Sequence, residues 1–298
     1  MMIISASRRT DIPAHYGRWF VERLRCGYVD VPDPFNRKQV RRVDLSPEKV
    51  DTIVFWTKDP SPFIKHLDTL DDRGYNYYFQ YTVNNYPEIF EPGIPPFSKR
   101  MEQFRELSRR IGKERVVLRY DPIIISERTG LPFHERNLRT IRDELSEQTD
   151  TLVISFLDVY RKISARLRGI EKRHGINIVD VHDAHHHHIV EECVRMINAL
   201  FKDTAIGITT CSEPFDLEDL GIEHGSCIDI SRINRIFDKD VAEVRDKGQR
   251  PYCLCNKAVD IGEYNTCLSM CTYCYAVGKR TTVMRNFKRI ADPDDVEG

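Results

Sequence analysis

The chain has 298 residues, 41% hydrophobic and 31% charged, with a formal net charge of −1. That is enough apolar material for one large α/β domain with a full core, or for two smaller ones. The balanced charge excludes a global field that would draw the chain to nucleic acid or membrane. No apolar run approaches the roughly 20 residues of a membrane helix, and the opening MMIISASRRT lacks the features of a signal peptide; the expected location is the cytoplasm.

Six short apolar or β-branched runs predict strands at Ile3–Ala6, Thr52–Trp56, Tyr77–Val83, Arg115–Arg119, Leu152–Phe156 and Ala205–Thr209. Amphipathic stretches near 14–26, 60–72, 98–111, 134–147, 161–173 and 185–202 predict the helices between them. Buried parallel strands read as apolar runs without alternation, and strand–helix alternation at this spacing predicts a parallel sheet. The expected fold is α/β: a (β/α) barrel, partial at six or seven parallel strands, over residues 1–240.

Each run leads at once into a polar cluster. Ile3–Ile4 precedes Arg8, Arg9 and Asp11; Val54–Phe55 precedes Trp56, Lys58 and Asp59; Tyr78–Phe79 precedes Gln80; Val117–Leu118 precedes Arg119 and Asp121; Val153–Ile154 precedes Ser155, Asp158 and Tyr160; Ile206–Ile208 precedes TTCSE. Any one such cluster is ordinary, because an Asp or Thr there often caps the next helix. Six together predict a ligand site at the carboxyl ends of the strands. Arg8, Arg9, Asp11, Trp56, Lys58 and Gln80 are the substrate-binding candidates, and Arg119 and Asp121 the cofactor-binding ones.

Composition changes near residue 240, where DKGQRPYCLCNKAVDIGEYNTCLSMCTYCYA is rich in Cys, Tyr and Gly. Residues 241–298 are expected to be a loop-rich segment held by metal and packed on the barrel mouth. The short run Ala258–Ile261 within it is a further strand candidate beside Ile3–Ala6. The acidic end of the chain is expected to fray.

The nine cysteines are odd in number and clustered, which argues against a secreted disulfide framework and for metal or cluster ligation. Cys267, Cys271 and Cys274 have the spacing Cys-x3-Cys-x2-Cys, with Tyr273 before the third. Three thiolates on one tight loop can hold three irons of a [4Fe–4S] cluster and leave the fourth open. Cys211, Cys227, Cys253 and Cys255 are the right number for a second [4Fe–4S] cluster or a four-cysteine zinc site. Cys193 sits at apolar helix spacing as a core thiol, and Cys26 has no chemical role.

The three-cysteine spacing and its aromatic residue resemble the cluster loop of the radical S-adenosylmethionine (SAM) enzymes. The resemblance implies that the free iron binds the amino and carboxylate groups of SAM, with Tyr273 beside the adenine. In that superfamily the loop normally follows the first strand; here it comes last, as in a permuted barrel. IISASRRTDIPAHY, VFWTKDP, YYFQYT, LRYDPI and VDIGEYNTCLSMCTYCYA together resemble the domain-of-unknown-function family 1848 over nearly the whole chain, a resemblance that implies no substrate.

The function these readings imply is reductive cleavage of SAM to start radical chemistry on an unidentified small molecule or peptide. An electron donor such as flavodoxin or ferredoxin would be the protein partner; nucleic acid and membrane are not expected. The alternative is a zinc- or cluster-stabilised barrel that binds or hydrolyses nucleic acid. Two basic patches, Arg37, Lys38, Arg41, Arg42 and Arg161, Lys162, Arg166, Arg168, Lys172, Arg173, are read as solvated helix faces. The histidine tract His182, His185–His188 is read as a solvated helix start.

Overall fold

The computed structural model describes residues 2–291. The expected acidic end, 292–298, lies outside the described residues. Among the described residues, ten strands and ten helices follow one another: β1 Met2–Ser5, α1 Ile12–His15, α2 Gly17–Cys26, β2 Tyr28–Pro32, β3 Val40–Asp44, β4 Val50–Thr57, α3 Ser61–Ile64, α4 Leu67–Asp72, β5 Tyr77–Thr82, α5 Phe97–Ile111, β6 Val116–Ile123, α6 Leu131–Leu145, β7 Thr151–Phe156, α7 Arg161–His174, α8 His187–Phe201, β8 Gly207–Cys211, β9 Glu223–Gly225, α9 Ile230–Phe237, β10 Val259–Asp260 and α10 Arg280–Ala291.

Eight strands form one sheet in the order β10-β1-β4-β5-β6-β7-β8-β9, every pair parallel. The sheet therefore has more strands than the six or seven expected. The Ala258–Ile261 run does lie beside the first strand, with Val259 opposite Ile4 and Asp260 opposite Ser5. Among the described residues, no pairing joins β9 to β10.

The sheet is buried on both faces, and period two sorts its side chains. Ile4, Ile53, Phe55, Tyr77, Phe79, Leu118, Leu152 and Ile154 share a core with α2, α5, α6 and α8. Phe55 and Phe79 stack at 4.9 Å between ring centres. The alternate residues Ile3, Val54, Tyr78, Val117 and Val153 pack against Cys227, Cys253, Cys255, Ile228 and Ile233. Helices α2, α5, α6 and α8 thus cover one face, and the chain from Cys227 to Cys255, α9 included, covers the other. Each buried Leu, Ile or Phe contributes about 1.5–3 kcal/mol.

The predicted helices appear with two breaks. The 14–26 stretch divides at Tyr16 into α1 and α2, and the 60–72 stretch divides into α3 and α4. Gly27 stops α2 in the left-handed conformation, φ 79°, with its N–H on the Leu24 carbonyl. One expectation is corrected: Arg37, Lys38, Arg41 and Arg42 belong to the antiparallel β2–β3 hairpin and its turn, not to a helix. The β-branched runs YVDVP and VRRVD around a Pro-rich turn favour the hairpin. Cys193 is fully buried on α8 among Val190, Val194 and Ile197, and Cys26 is exposed. No helix among the described residues is long and apolar enough to cross a membrane.

Candidate cluster site

The same period of two that sorts the core carries polar side chains onto the covered inner face. Two residues past Val54 comes Trp56; past Tyr78, Gln80; past Val117, Arg119 and then Asp121; past Val153, Ser155. Trp56 is opposite Gln80 on the neighbouring strand, and Arg119 is opposite Val153. Arg119 is buried and donates from Nη1 to Gln80 Oε1 at 3.0 Å and to Cys227 Sγ at 2.9 Å, and from Nε to Asp121 Oδ2 at 3.0 Å. Burial opposes the Arg119 charge, but the sulfur of Cys227 and the Asp121 carboxylate outweigh it and hold its pKa above the usual value. Burial also works against ionised Asp121, which is nevertheless held below the usual carboxylate range by Arg119, the Ser155 hydroxyl and Lys58.

Cys267, Cys271 and Cys274 lie on a loop seated by backbone and side-chain bonds from several elements. Tyr16 Oη donates to the Thr266 carbonyl at 2.6 Å, and His15 Nε2 is 3.0 Å from Ser269 Oγ. The chain after β5 holds the other side: Thr272 N donates to the Phe90 carbonyl at 2.9 Å and Gly93 N to the Ser269 carbonyl at 3.2 Å. Gly93 permits this approach, since a Cβ there would stand 2.9 Å from Ser269 Cα and O. From α7, Arg166 donates to the Cys274 carbonyl.

The three thiols are largely enclosed. Burial pushes Cys267 up to about 12 and lifts Cys271 and Cys274 as well. Lys58 and Arg166 are the cations felt by Cys274. Tyr273, between the last two cysteines, is 6% exposed and donates its hydroxyl to Glu91. Glu91 also takes Lys58 Nζ at 2.8 Å, and Arg100 lies 3.7 Å away. Lys58 stands 5.7 Å from the Tyr273 ring centre. Three largely enclosed thiols on one loop, with Lys58 favouring the thiolates of Cys271 and Cys274 and Arg166 that of Cys274, are the kind of donor set a cluster with one open iron takes.

The other four cysteines also meet. Cys211 ends β8, Cys227 follows β9, and Cys253 and Cys255 come from the segment over the inner face. The Cys211 and Cys227 sulfurs are 3.1 Å apart, and Cys227 N donates to Cys255 Sγ at 3.2 Å. A hydrogen bond from Cys227 brings the Cys211 thiol down to about 7. Hydrogen bonds from Cys227 and Cys253, with Arg8 nearby, lower Cys255 too. Among the described residues, no three Cys, His, Asp or Glu side chains already stand around a single ion. At 3.1 Å the Cys211 and Cys227 sulfurs stand closer than the about 3.8 Å between sulfurs held about 2.3 Å from a tetrahedral zinc.

The sequence-predicted residues divide between these two groups. Arg8 lies over the Trp56 ring at 5.3 Å and faces Cys255, and Gln80 Nε2 donates to the Cys227 carbonyl at 2.9 Å, so Arg8, Trp56, Gln80 and Arg119 surround the four-cysteine group. Lys58 and Tyr273 stand by the three-cysteine loop, and Asp121 is flanked by Arg119 and Lys58. Asp11 caps α1: Oδ1 accepts from Ala14 N at 3.0 Å and Oδ2 from Lys58 N at 2.9 Å, which ties α1 to the end of β4. Arg9 turns towards Asp260 at 3.6 Å and the Tyr264 ring. His185 and His186 lie in a short 3-10 turn and His187 and His188 open α8, at the surface as read, while His182 packs on Phe215 at 5.2 Å between ring centres. Sequence reasoning missed Glu91 and Gly93, and it placed Arg166 on a solvated face. A cavity of about 490 Å³ opens elsewhere, against β9, beside Glu223, His224, Arg245 and Tyr252.

The chain matches one family, described as "Domain of unknown function (DUF1848)", over residues 3–276. No curated protein and no solved structure matches it.

Proposed function

The chain belongs to the DUF1848 family, and within it we propose that this protein is a radical SAM-type iron–sulfur enzyme whose cluster is held by Cys267, Cys271 and Cys274. The observation that carries the reading is the seating of this Cys-x3-Cys-x2-Cys loop against α1, the chain after β5 and α7, with all three thiols shielded and Lys58 alongside. When bound, cluster and SAM together would supply one-electron reductive cleavage of a carbon–sulfur bond.

The chain's own residues have four tasks in this account. Cys267, Cys271 and Cys274 would give up their protons to hold the cluster. Tyr273, fixed by Glu91 and buried beside Lys58 and Tyr86, is the residue that would stand beside the adenine by resemblance. Lys58 is the cation within reach of both the loop and Asp121, suited to hold a carboxylate of SAM or of substrate. The chain covering the inner face excludes water and competing reductants from the mouth. We read the sheet as an incomplete barrel, with helices outside and residues 241–291 laid over its interior and mouth. A small-molecule or peptide substrate, a flavodoxin- or ferredoxin-type donor and a reducing cytoplasmic setting follow from this reading.

The test is spectroscopic. Anaerobically reconstituted protein reduced with dithionite should give a [4Fe–4S]⁺ electron paramagnetic resonance signal whose g-values shift when SAM is added. A signal indifferent to saturating SAM would overturn the reading.

A further inference from the structure

We infer that Cys211, Cys227, Cys253 and Cys255 form a second metal site, a tetrathiolate centre on the inner face of the sheet, with Arg119 donating to one of its sulfurs. The four residues come from three separate stretches of chain, and three of the four are buried. Chance burial of apolar thiols looks different: Cys193 sits alone among aliphatic side chains, with burial the only influence on its thiol.

The cations carry the argument further. A guanidinium in an apolar interior is costly unless it meets negative charge. Arg119 places an N–H 2.9 Å from Cys227 Sγ, and Arg8 lies 5.3 Å over the Trp56 ring and 3.9 Å from Asp246. Four thiolates about Zn²⁺, or about an oxidised [4Fe–4S] core, would leave a net charge of about −2, and the Arg119 N–H beside Cys227 would donate to it while Asp121 shares the same guanidinium. The scaffold around the sulfurs is already built. The Cys227 carbonyl accepts from Tyr78 Oη at 2.6 Å and Gln80 Nε2 at 2.9 Å, and the Cys255 carbonyl accepts from Asp246 N at 3.0 Å. Loading the site would move the Cys211 and Cys227 sulfurs apart from 3.1 Å, each thiol releasing its proton to solvent as its bond to the metal forms.

The test keeps this site separate from the SAM reading. Zinc, iron and acid-labile sulfide are measured in anaerobically prepared C267A/C271A/C274A protein, which lacks the other thiolates. The expected result is about one zinc, or about four irons with about four sulfides, per chain. That content should fall at least about fivefold when Cys227→Ser and Cys255→Ser are added. The metal identified tells a zinc centre from a cluster. Folded triple variant holding neither metal, with all four site thiols titratable beside Cys26 or with a Cys211–Cys227 disulfide, would overturn the inference. If the triple variant is insoluble, Cys227→Ser in the otherwise native chain serves instead: metal per chain falls below the native level if the site exists and is unchanged if it does not. In the folded protein, Arg119→Gln should shorten the time for which a chelator leaves the metal in place, and Arg119→Lys should restore part of it.

Discussion

Lys58 and Glu91 meet at 2.8 Å with the carboxylate almost wholly enclosed, 1% exposed, and the ammonium only 15% exposed. Burial alone would raise the Glu91 carboxyl, yet Lys58 and Arg100 hold it below its usual range. The pair joins the end of β4 to the chain that seats the cysteine loop, and Tyr273 reaches the same carboxylate. Glu91→Gln would leave two enclosed cations without their anion, a change that typically costs roughly 3–5 kcal/mol. Urea denaturation should show a loss of that order, and an unchanged midpoint would show that the network carries no stability.

Gly93 lies where any side chain would press on Ser269, so Gly93→Ala should displace the loop that carries Cys267 and Cys271. Overpacking of this kind costs about 1–3 kcal/mol. The expected outcome is less iron retained per chain after desalting, together with a lower melting temperature. Native iron content in the variant would show that the loop has room to yield.

Acid sensitivity has a definite source. His134 is buried, with Nδ1 2.8 Å from Tyr120 Oη and Nε2 3.0 Å from the Ile124 carbonyl, which requires the proton on Nε2. Burial lowers its imidazole to about 4, whereas in the unfolded chain it titrates near 6.5. Between those values the unfolded state takes up the proton and the folded state does not. Stability should therefore be full above about pH 6.5 and fall by roughly 1.4 kcal/mol per pH unit towards about 4. His15, also lowered to about 4 by burial, titrates alongside it. His134→Gln should be less stable at pH 7.5 but show a shallower slope between pH 6.5 and 5. An identical slope would assign the acid sensitivity elsewhere.

The strands were legible because parallel strands buried on both faces read as unbroken apolar runs, and all six runs identified on that basis contain or overlap sheet strands. The Ala258–Ile261 run was also legible as a partner of the first strand. β9 was not, since Glu223–Gly225 is three residues long and polar and owes its place to pairing with Thr209–Cys211. Polar clusters follow the strands, as counted from the sequence, but their division between two cysteine groups was hidden. Period two from Val54, Tyr78, Val117 and Val153 sends Trp56, Gln80, Arg119 and Ser155 inward, and that count could have been made from sequence. The convergence of Cys211 and Cys227 with the Cys253–Cys255 pair was anticipated by number alone; its cause is the return of the chain over the inner face. Glu91 left no signal, because its importance comes from Lys58, Arg100 and Tyr273, each distant along the chain.

The most direct test of the central claim is formation of 5′-deoxyadenosine from SAM by anaerobically reconstituted protein with dithionite, beside the C267A/C271A/C274A variant. The account predicts product from the native chain, none above background from the variant, and a loss of about four irons per chain in the variant. Product formation by the triple variant at the native rate, or no SAM cleavage by native protein whose iron and sulfide show a complete [4Fe–4S] cluster on that loop, would contradict it.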